Sequence, residues 1–355
     1  MGRVEMMPKQ AKFGIIGTGV GAGFCARGFS TLPPDGPAKL VAVTSQSEGH
    51  AEEFARKWGL SLWFTDYEEM MRKAELDAVI INAPHFQHFQ MAMDTMDAGL
   101  NVLVDKPMAI SLKEADAMIE AARKSKLKLG VVLQSRFDPI YRRIKTAVDE
   151  GKFGRLILGD AAVKWFRTQE YYSSNPWRGC WATEGGGALI NQAIHTIDVL
   201  RWVMGPPKCL WAQMGAFAHK IDVEDLAVAA IRFENGALGT IQGSTAVYPG
   251  LPTRLEIHGT NGTAVVEGEK PKRWAIVGEE EEAAEGEKEG LKAWAAPELL
   301  PAANHASVIA DFAEAVLEDR QPYVDGVEGR KSLELVKAIY KSGMSNSCVD
   351  FPLKE

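Results

Sequence analysis

An ammonium and an imidazole stand out first. Lys106 follows the apolar run VLVD and precedes Pro107, which fixes the turn and restricts the lysine backbone, so the ammonium is aimed rather than loose in solvent. A cation there stabilises a developing alkoxide. The plainer alternative is a solvated lysine at a strand end. His195 lies in GGGALINQAIHTID, where a triple glycine precedes a helical pattern setting Asn191, His195 and Asp198 at i, i+4 and i+7, on one face. Imidazole titrates near neutral pH and suits the proton that an alcohol loses as its carbon loses hydride. The alternative is a core histidine packed beside Ile190, Ile194 and Ile197.

Hydride needs an acceptor, and GTGVGA implies one. Gly17, Gly19 and Ala22 fit G-x-G-x-x-A, with Thr18, Val20 and Gly21 completing the turn, after the apolar GII and before the helical FCARGF. The first glycine permits the tight turn, the second lets backbone approach a pyrophosphate, and the small third residue lets helix and strand pack closely. The helix N-terminus then presents N–H groups and a positive dipole end to the phosphates. Thr44, Ser45, Gln46 and Ser47 stand where an acid would grip the adenosine ribose. No acid excludes NADP and no Arg or Lys invites it, so NAD is favoured only slightly; Ser45 and Gln46 are alternatively plain turn residues. Ala83 closes the IINA run, Pro84, His85 and His88 follow it, and Gln134 follows KLGVVL. The H-x-x-H spacing lacks a nearby Cys or carboxylate, so cofactor contact or helix capping is the better reading, and no metal is expected.

Those residues must be carried on a scaffold that brings them together. KFGIIG, KLVAVT, DAVIINA, NVLVD and KLGVVL are strand candidates that alternate with GHAEEFARKWG, FQHFQMAMDTMDAG and SLKEADAMIEAARKS. In the last, Ser111 and Glu114 form a capping box. This is a doubly wound α/β pattern with a parallel sheet, and right-handed crossovers put the C-terminal ends of its strands on one edge. A first domain over 1–133 follows. Residues 134–355 read as an α+β domain with an antiparallel sheet, from LILGDAAVKWF, KCLWAQMGAF, LAVAAIRF, ALGTIQGSTAV and RLEIHGTNGTAVVEG with their N-G turns. Segment 278–290, GEEEEAAEGEKEG, reads as a solvated loop.

Composition narrows the partners. Forty Lys and Arg against 47 Asp and Glu give a formal charge of -7 with no basic stripe, which argues against nucleic acid. Four scattered cysteines fit free thiols in a reducing compartment. The opening residues lack the core of a signal peptide, and no run approaches roughly 18 apolar residues, so no membrane association and a cytoplasmic location are expected.

With GIIGTGVGA, NAPHFQH, VLVDKP, SRFDP and GGGALINQAIHTIDVLRWVMG in view, the chain resembles the glucose-fructose oxidoreductase and inositol dehydrogenase (Gfo/Idh/MocA) family over nearly its whole length. The resemblance implies an N-terminal Rossmann domain, a C-terminal domain with an open, mainly antiparallel sheet, and oxidation or reduction at a carbon of a sugar, sugar acid, cyclitol or related polyol. By position Lys106 matches the lysine of the family's E-K-P, here D-K-P, and His195 its catalytic histidine. Asn191 replaces the Asp that many members set beside that histidine, which removes a charged partner; an Asn-Gln version resembles a variant in sugar-modifying relatives. Arg136 falls where members place a substrate-facing arginine. Lys164, Arg167, Tyr172, Trp177 and Arg178 suit a sugar site, aromatic faces covering C–H surfaces while cations hold hydroxyls or a carboxylate, with ordinary loop packing as the alternative. The open sheet implies a homodimer or homotetramer. Two other functions share these motifs: cleavage of a glycoside through transient use of bound NAD, and a non-catalytic sugar or nucleotide sensor.

Overall fold

A computed structural model describes residues 9–268, 270–279, 282–283 and 302–353. The chain divides into two compact units. The first begins with β1 (Ala11–Ile16), α1 (Val20–Thr31), β2 (Ala38–Thr44), α2 (Glu48–Trp58), β3 (Leu62–Phe64), α3 (Tyr67–Lys73), β4 (Ala78–Ile81), α4 (His88–Asp97), β5 (Asn101–Val104), α5 (Leu112–Ser125) and β6 (Leu129–Val131). The six strands lie in the order β3-β2-β1-β4-β5-β6, with every pairing parallel. Strand order reverses between β1 and β4, and at such a switch point the two following loops diverge to open a crevice. AVII of β4 is buried on both faces, as a central parallel strand requires. The short edge strand β3 was absent from the sequence reading because three residues carry no periodicity.

The second unit contains α6 (Pro139–Asp149), β7 (Leu156–Lys164), α7 (Gln169–Ser173), α8 (Ile194–Met204), β8 (Pro207–Gly215), β9 (Leu226–Phe233), β10 (Leu238–Ser244), β11 (Arg254–Gly259), β12 (Gly262–Glu267), β13 (Lys270–Ile276) and β14 (Glu282–Ala283). Its nine-stranded sheet runs β14-β13-β12-β11-β7-β10-β9-β8-β15, where β15 is Val349–Asp350. Only β7 and β10 pair parallel; the rest is antiparallel. Asn235-Gly236 and Asn261-Gly262 turn the hairpins β9–β10 and β11–β12. Along β9 the inward residues Ala227, Ala229, Ile231 and Phe233 alternate with exposed ones, the two-residue period of a strand with one covered face. Helix α8 packs on that covered face closely enough that a Cβ on Gly159 of β7 would fall 2.7 Å from the Met204 sulfur.

The chain then returns to the first unit through α9 (Ala303–Leu317) before α10 (Gly326–Ser345). A Cβ on Gly28 of α1 would lie 3.0 Å from the Ala306 nitrogen, so glycine is what lets α1 and α9 touch. The Phe13 ring meets Phe29 at 5.4 Å and Phe312 of α9 at 6.2 Å, both edge-on. The expectation of one second domain over 134–355 therefore differs from the structure, which gives α9 to the nucleotide-type unit. Of the acidic segment 278–290, Gly278, Glu279 and the two residues of β14 are described; the remainder lies outside the described residues, as do residues 1–8. No described helix is long and apolar enough to cross a membrane.

Candidate active site

In the first unit the expected cofactor residues all follow C-terminal strand ends. Gly17 leaves β1 at φ +105°, and a Cβ there would sit 2.2 Å from the Asn82 carbonyl oxygen. Glycine is required on both counts. No side chain caps α1 at Gly19 and its first turn holds no acid, which leaves a positive helix end facing outward. A Cβ on Gly19 would meet nothing within 4 Å, so the space beside the turn is open. Gly21 carries a constraint the spacing did not reveal: its Cβ would lie 2.7 Å from Asp105 Oδ2 and 3.0 Å from Asn82 Nδ2. Ala22 is fully buried against the sheet. After β2, Ser45 donates its backbone N–H to Phe64 and Gln46 is exposed, while Ser47 caps α2. Gln134 Oε1, beyond β6, is buried with no hydrogen-bond partner among the described residues. An open glycine cradle, an uncapped helix end and an orphaned acceptor fit a dinucleotide.

Replacing Gly17 with alanine should cost about 1–3 kcal/mol of local strain and weaken NADH binding at least about tenfold. A fluorescence titration of NADH checks this, and an unchanged Kd contradicts the cradle.

Lys106 follows Asp105 directly after β5, and its backbone N–H donates to the Asp105 carboxylate at 2.8 Å; the peptide to Pro107 is cis. The expected cofactor contact of His88 is corrected. Its Nδ1 and Nε2 lie 2.8 Å from the carbonyl oxygens of Pro107 and Ala83, so the ring ties the loops after β4 and β5 together. Burial holds its pKa below the ordinary histidine value, against the pull of Asp105 and both carbonyls. His85 is buried beside it, the ring centres 5.8 Å apart, and Pro84 begins the turn that leads into α4. His305 of α9 stacks on Phe24 at 5.0 Å, and burial pushes its pKa down to about 4, with Arg27 and Lys106 adding to the effect and Asp105 opposing it.

In the second unit the triple glycine leads not straight into an α-helix but into a π turn over Leu189–Ala193. Such a turn adds a residue and shifts the face, so the expected single face of Asn191, His195 and Asp198 breaks up. His195 opens α8 and is half-buried, whereas Asp198 is wholly buried. Asn191 Nδ2 donates to Glu184 Oε1 at 2.6 Å, and Glu184 is itself fully buried, accepting from the Gly179 N–H at 2.6 Å. A carboxylate thus stands behind the neutral Asn191. Glu224 braces the start of the turn, accepting from the N–H groups of Gly187 and Leu189 and from the Tyr340 hydroxyl, and burial raises its pKa to about 7.

Two expected substrate contacts turn inward. Arg136 is 2% exposed and donates from Nε and Nη2 to the two Asp198 oxygens at 2.8 and 2.6 Å, beneath the Trp202 ring. Its fork is engaged by a carboxylate 62 positions away that helix periodicity had grouped with Asn191 and His195. Tyr172 is buried with its hydroxyl 2.7 Å from Thr245 Oγ1. The neighbouring Tyr171 is placed differently: its ring lies under Arg178 at 4.0 Å and Arg167 at 5.4 Å, and its hydroxyl accepts from Gln192 Nε2 at 2.9 Å. Trp177 lies 5.1 Å from Arg178. Lys164 ends β7, in register with Ser244.

Known proteins share this sequence pattern and fold. Residues 11–133 match an oxidoreductase family model with an NAD-binding Rossmann fold, and residues 141–265 match the GFO/IDH/MocA C-terminal domain. The scyllo-inositol 2-dehydrogenase (NAD(+)) of Bacillus subtilis (strain 168) is 29% identical over 73% of this chain and 75% of its own. The trans-1,2-dihydrobenzene-1,2-diol dehydrogenase of Danio rerio is 30% identical over 66% and 68%. The crystal structure of the WlbA dehydrogenase from Bordetella pertussis, solved with NADH and UDP-GlcNAcA, superposes with a TM-score of 0.85 at 28% identity, covering 98% of this chain and all of that one. The chain belongs to the GFO/IDH/MocA family of oxidoreductases with an NAD-binding Rossmann fold.

Proposed function

We propose that the protein is an NAD(P)-dependent dehydrogenase or reductase of a sugar, sugar acid or cyclitol. The observation that carries the reading is Lys106 on the same sheet edge as an open, uncapped glycine turn, with Asp105 against Gly21. Bound NAD(P) supplies a ring carbon that accepts or returns a hydride. In the oxidative direction His195 takes the hydroxyl proton and Lys106 steadies the alkoxide, while Asn191, its amide N–H held by Glu184, turns its oxygen to accept from the substrate. The inositol and dihydrodiol dehydrogenases among the relatives support a vicinal-hydroxyl substrate.

Purified protein with NAD or NADP and a panel of sugars, aldonic acids and inositols should develop the reduced-nicotinamide absorbance band. Substrate consumption with no net nicotinamide reduction would favour transient-NAD cleavage instead. No turnover with tight ligand binding would favour a sensor. Trp211, Val228 and Leu238 stand on the outer face of the nine-stranded sheet, 46%, 45% and 52% exposed, and this apolar face suits burial against a second copy of the chain.

A further inference from the structure

The second unit holds a half-buried cation, Arg178. Nε and Nη1 of Arg178 are buried and have no hydrogen-bond partner among the described residues. Stacking on Tyr171 and Trp177 offsets part of the lost hydration but satisfies none of these N–H groups. Arg167 flanks the same Tyr171 ring, so two like charges share one platform. Burial pulls the Arg178 pKa down first and Arg167 adds to it, while Glu184 opposes them. On the same platform, Gln192 donates to the Tyr171 hydroxyl and leaves its own Oε1 buried with no partner among the described residues. Unmet donors on a cation and an unmet acceptor one tyrosine away call for a ligand carrying both an anionic oxygen and a hydroxyl.

Charge decides which anion. The Glu184 carboxylate acts on Arg178, so a monoanion meets less repulsion there than a phosphate dianion. We propose that Arg178, with Arg167 beside it and Gln192 accepting a neighbouring hydroxyl, recognises a carboxylate on the substrate, so that the enzyme acts on a polyhydroxy acid of the aldonic or uronic type. Gln192 lies three residues before His195 on the same π-to-α segment, so the candidate acid site and the candidate proton carrier share one stretch of chain. The inference rests on the dehydrogenase reading for the reaction, though not for the binding.

Two assays separate these. Quenching of tryptophan fluorescence is titrated with six-carbon aldonic and uronic acids, each paired with its neutral polyol or sugar, and with glucose 6-phosphate. At least one acid should bind about 100-fold tighter than its neutral partner, Arg178→Gln should erase that preference, and Arg178→Lys should keep part of it. Equal binding of acid and neutral partner, preference for the phosphate ester, binding of no acid, or acid binding undiminished in Arg178→Gln overturns the proposal. Should Arg178→Gln not fold, the paired comparison on the unaltered protein decides alone. Nicotinamide reduction is measured in parallel. Acid binding lost in Arg178→Gln without any hydride transfer sinks the dehydrogenase reading and leaves the carboxylate site standing. Hydride transfer from neutral polyols only does the reverse.

Discussion

Replacing Lys106 with methionine lowers kcat on the best substrate by about 1,000-fold, the scale set by removal of one positioned donor to a developing oxyanion, or about 4 kcal/mol in the barrier. Methionine keeps an unbranched stem of similar length, so the change is one of charge. Lys106 is half-buried at a strand end and its N–H bond to Asp105 belongs to the backbone, so the fold and the glycine cradle should persist. NADH affinity should move by less than the rate does. Steady-state kinetics on the methionine variant, with an NADH titration as control, make the comparison. Turnover within tenfold of the parent would remove Lys106 from the chemistry.

The second large effect falls on stability. Asp198 is wholly buried and accepts from two Arg136 nitrogens and from the Ser332 hydroxyl of α10. Asp198→Ala leaves a guanidinium buried without its anion, a change that costs about 3–5 kcal/mol. Exchanging both partners for apolar residues of similar volume, Arg136→Met with Asp198→Leu, should recover most of that loss, because the desolvation of two charges is removed together. Urea unfolding of the single and double variants tests the pair. A single variant within about 1 kcal/mol of the parent would show that water or a neighbour satisfies Arg136.

The same aspartate marks where sequence reasoning ends. The glycine turn was readable because its requirement is local: Gly17 must take a positive φ and Gly19 must leave space, whatever packs elsewhere. The N-G hairpins were readable for the same reason, and the parallel sheet from the alternation of strand and helix patterns along the first 133 residues. Arg136 was not, since its partner lies 62 positions on and a charged residue on a helical face looks alike whether it meets substrate or an ion pair. Tyr171 and Tyr172 are adjacent on a five-residue helix, where one step of rotation decides which ring meets the arginines and which is buried. The π turn over Leu189–Ala193 has no residue signature, so the periodicity that grouped Asn191 with Asp198 was applied across a break in period. Glu184 escaped because its role depends on a loop folding back on itself to reach Asn191.

The return of α9 to the first unit has a consequence for synthesis. A nascent chain emerging from the ribosome completes all six strands of the Rossmann sheet by Val131, yet Gly28 and Phe13 lack their cover until Ala306 and Phe312 have been translated. N-terminal-first folding would therefore leave an apolar patch on α1 uncovered while the whole nine-stranded sheet except β15 is being made. A stalled or proteolysed product ending before α9 keeps the glycine cradle but not the wall behind it, and such fragments are the ones that chaperones would be expected to retain.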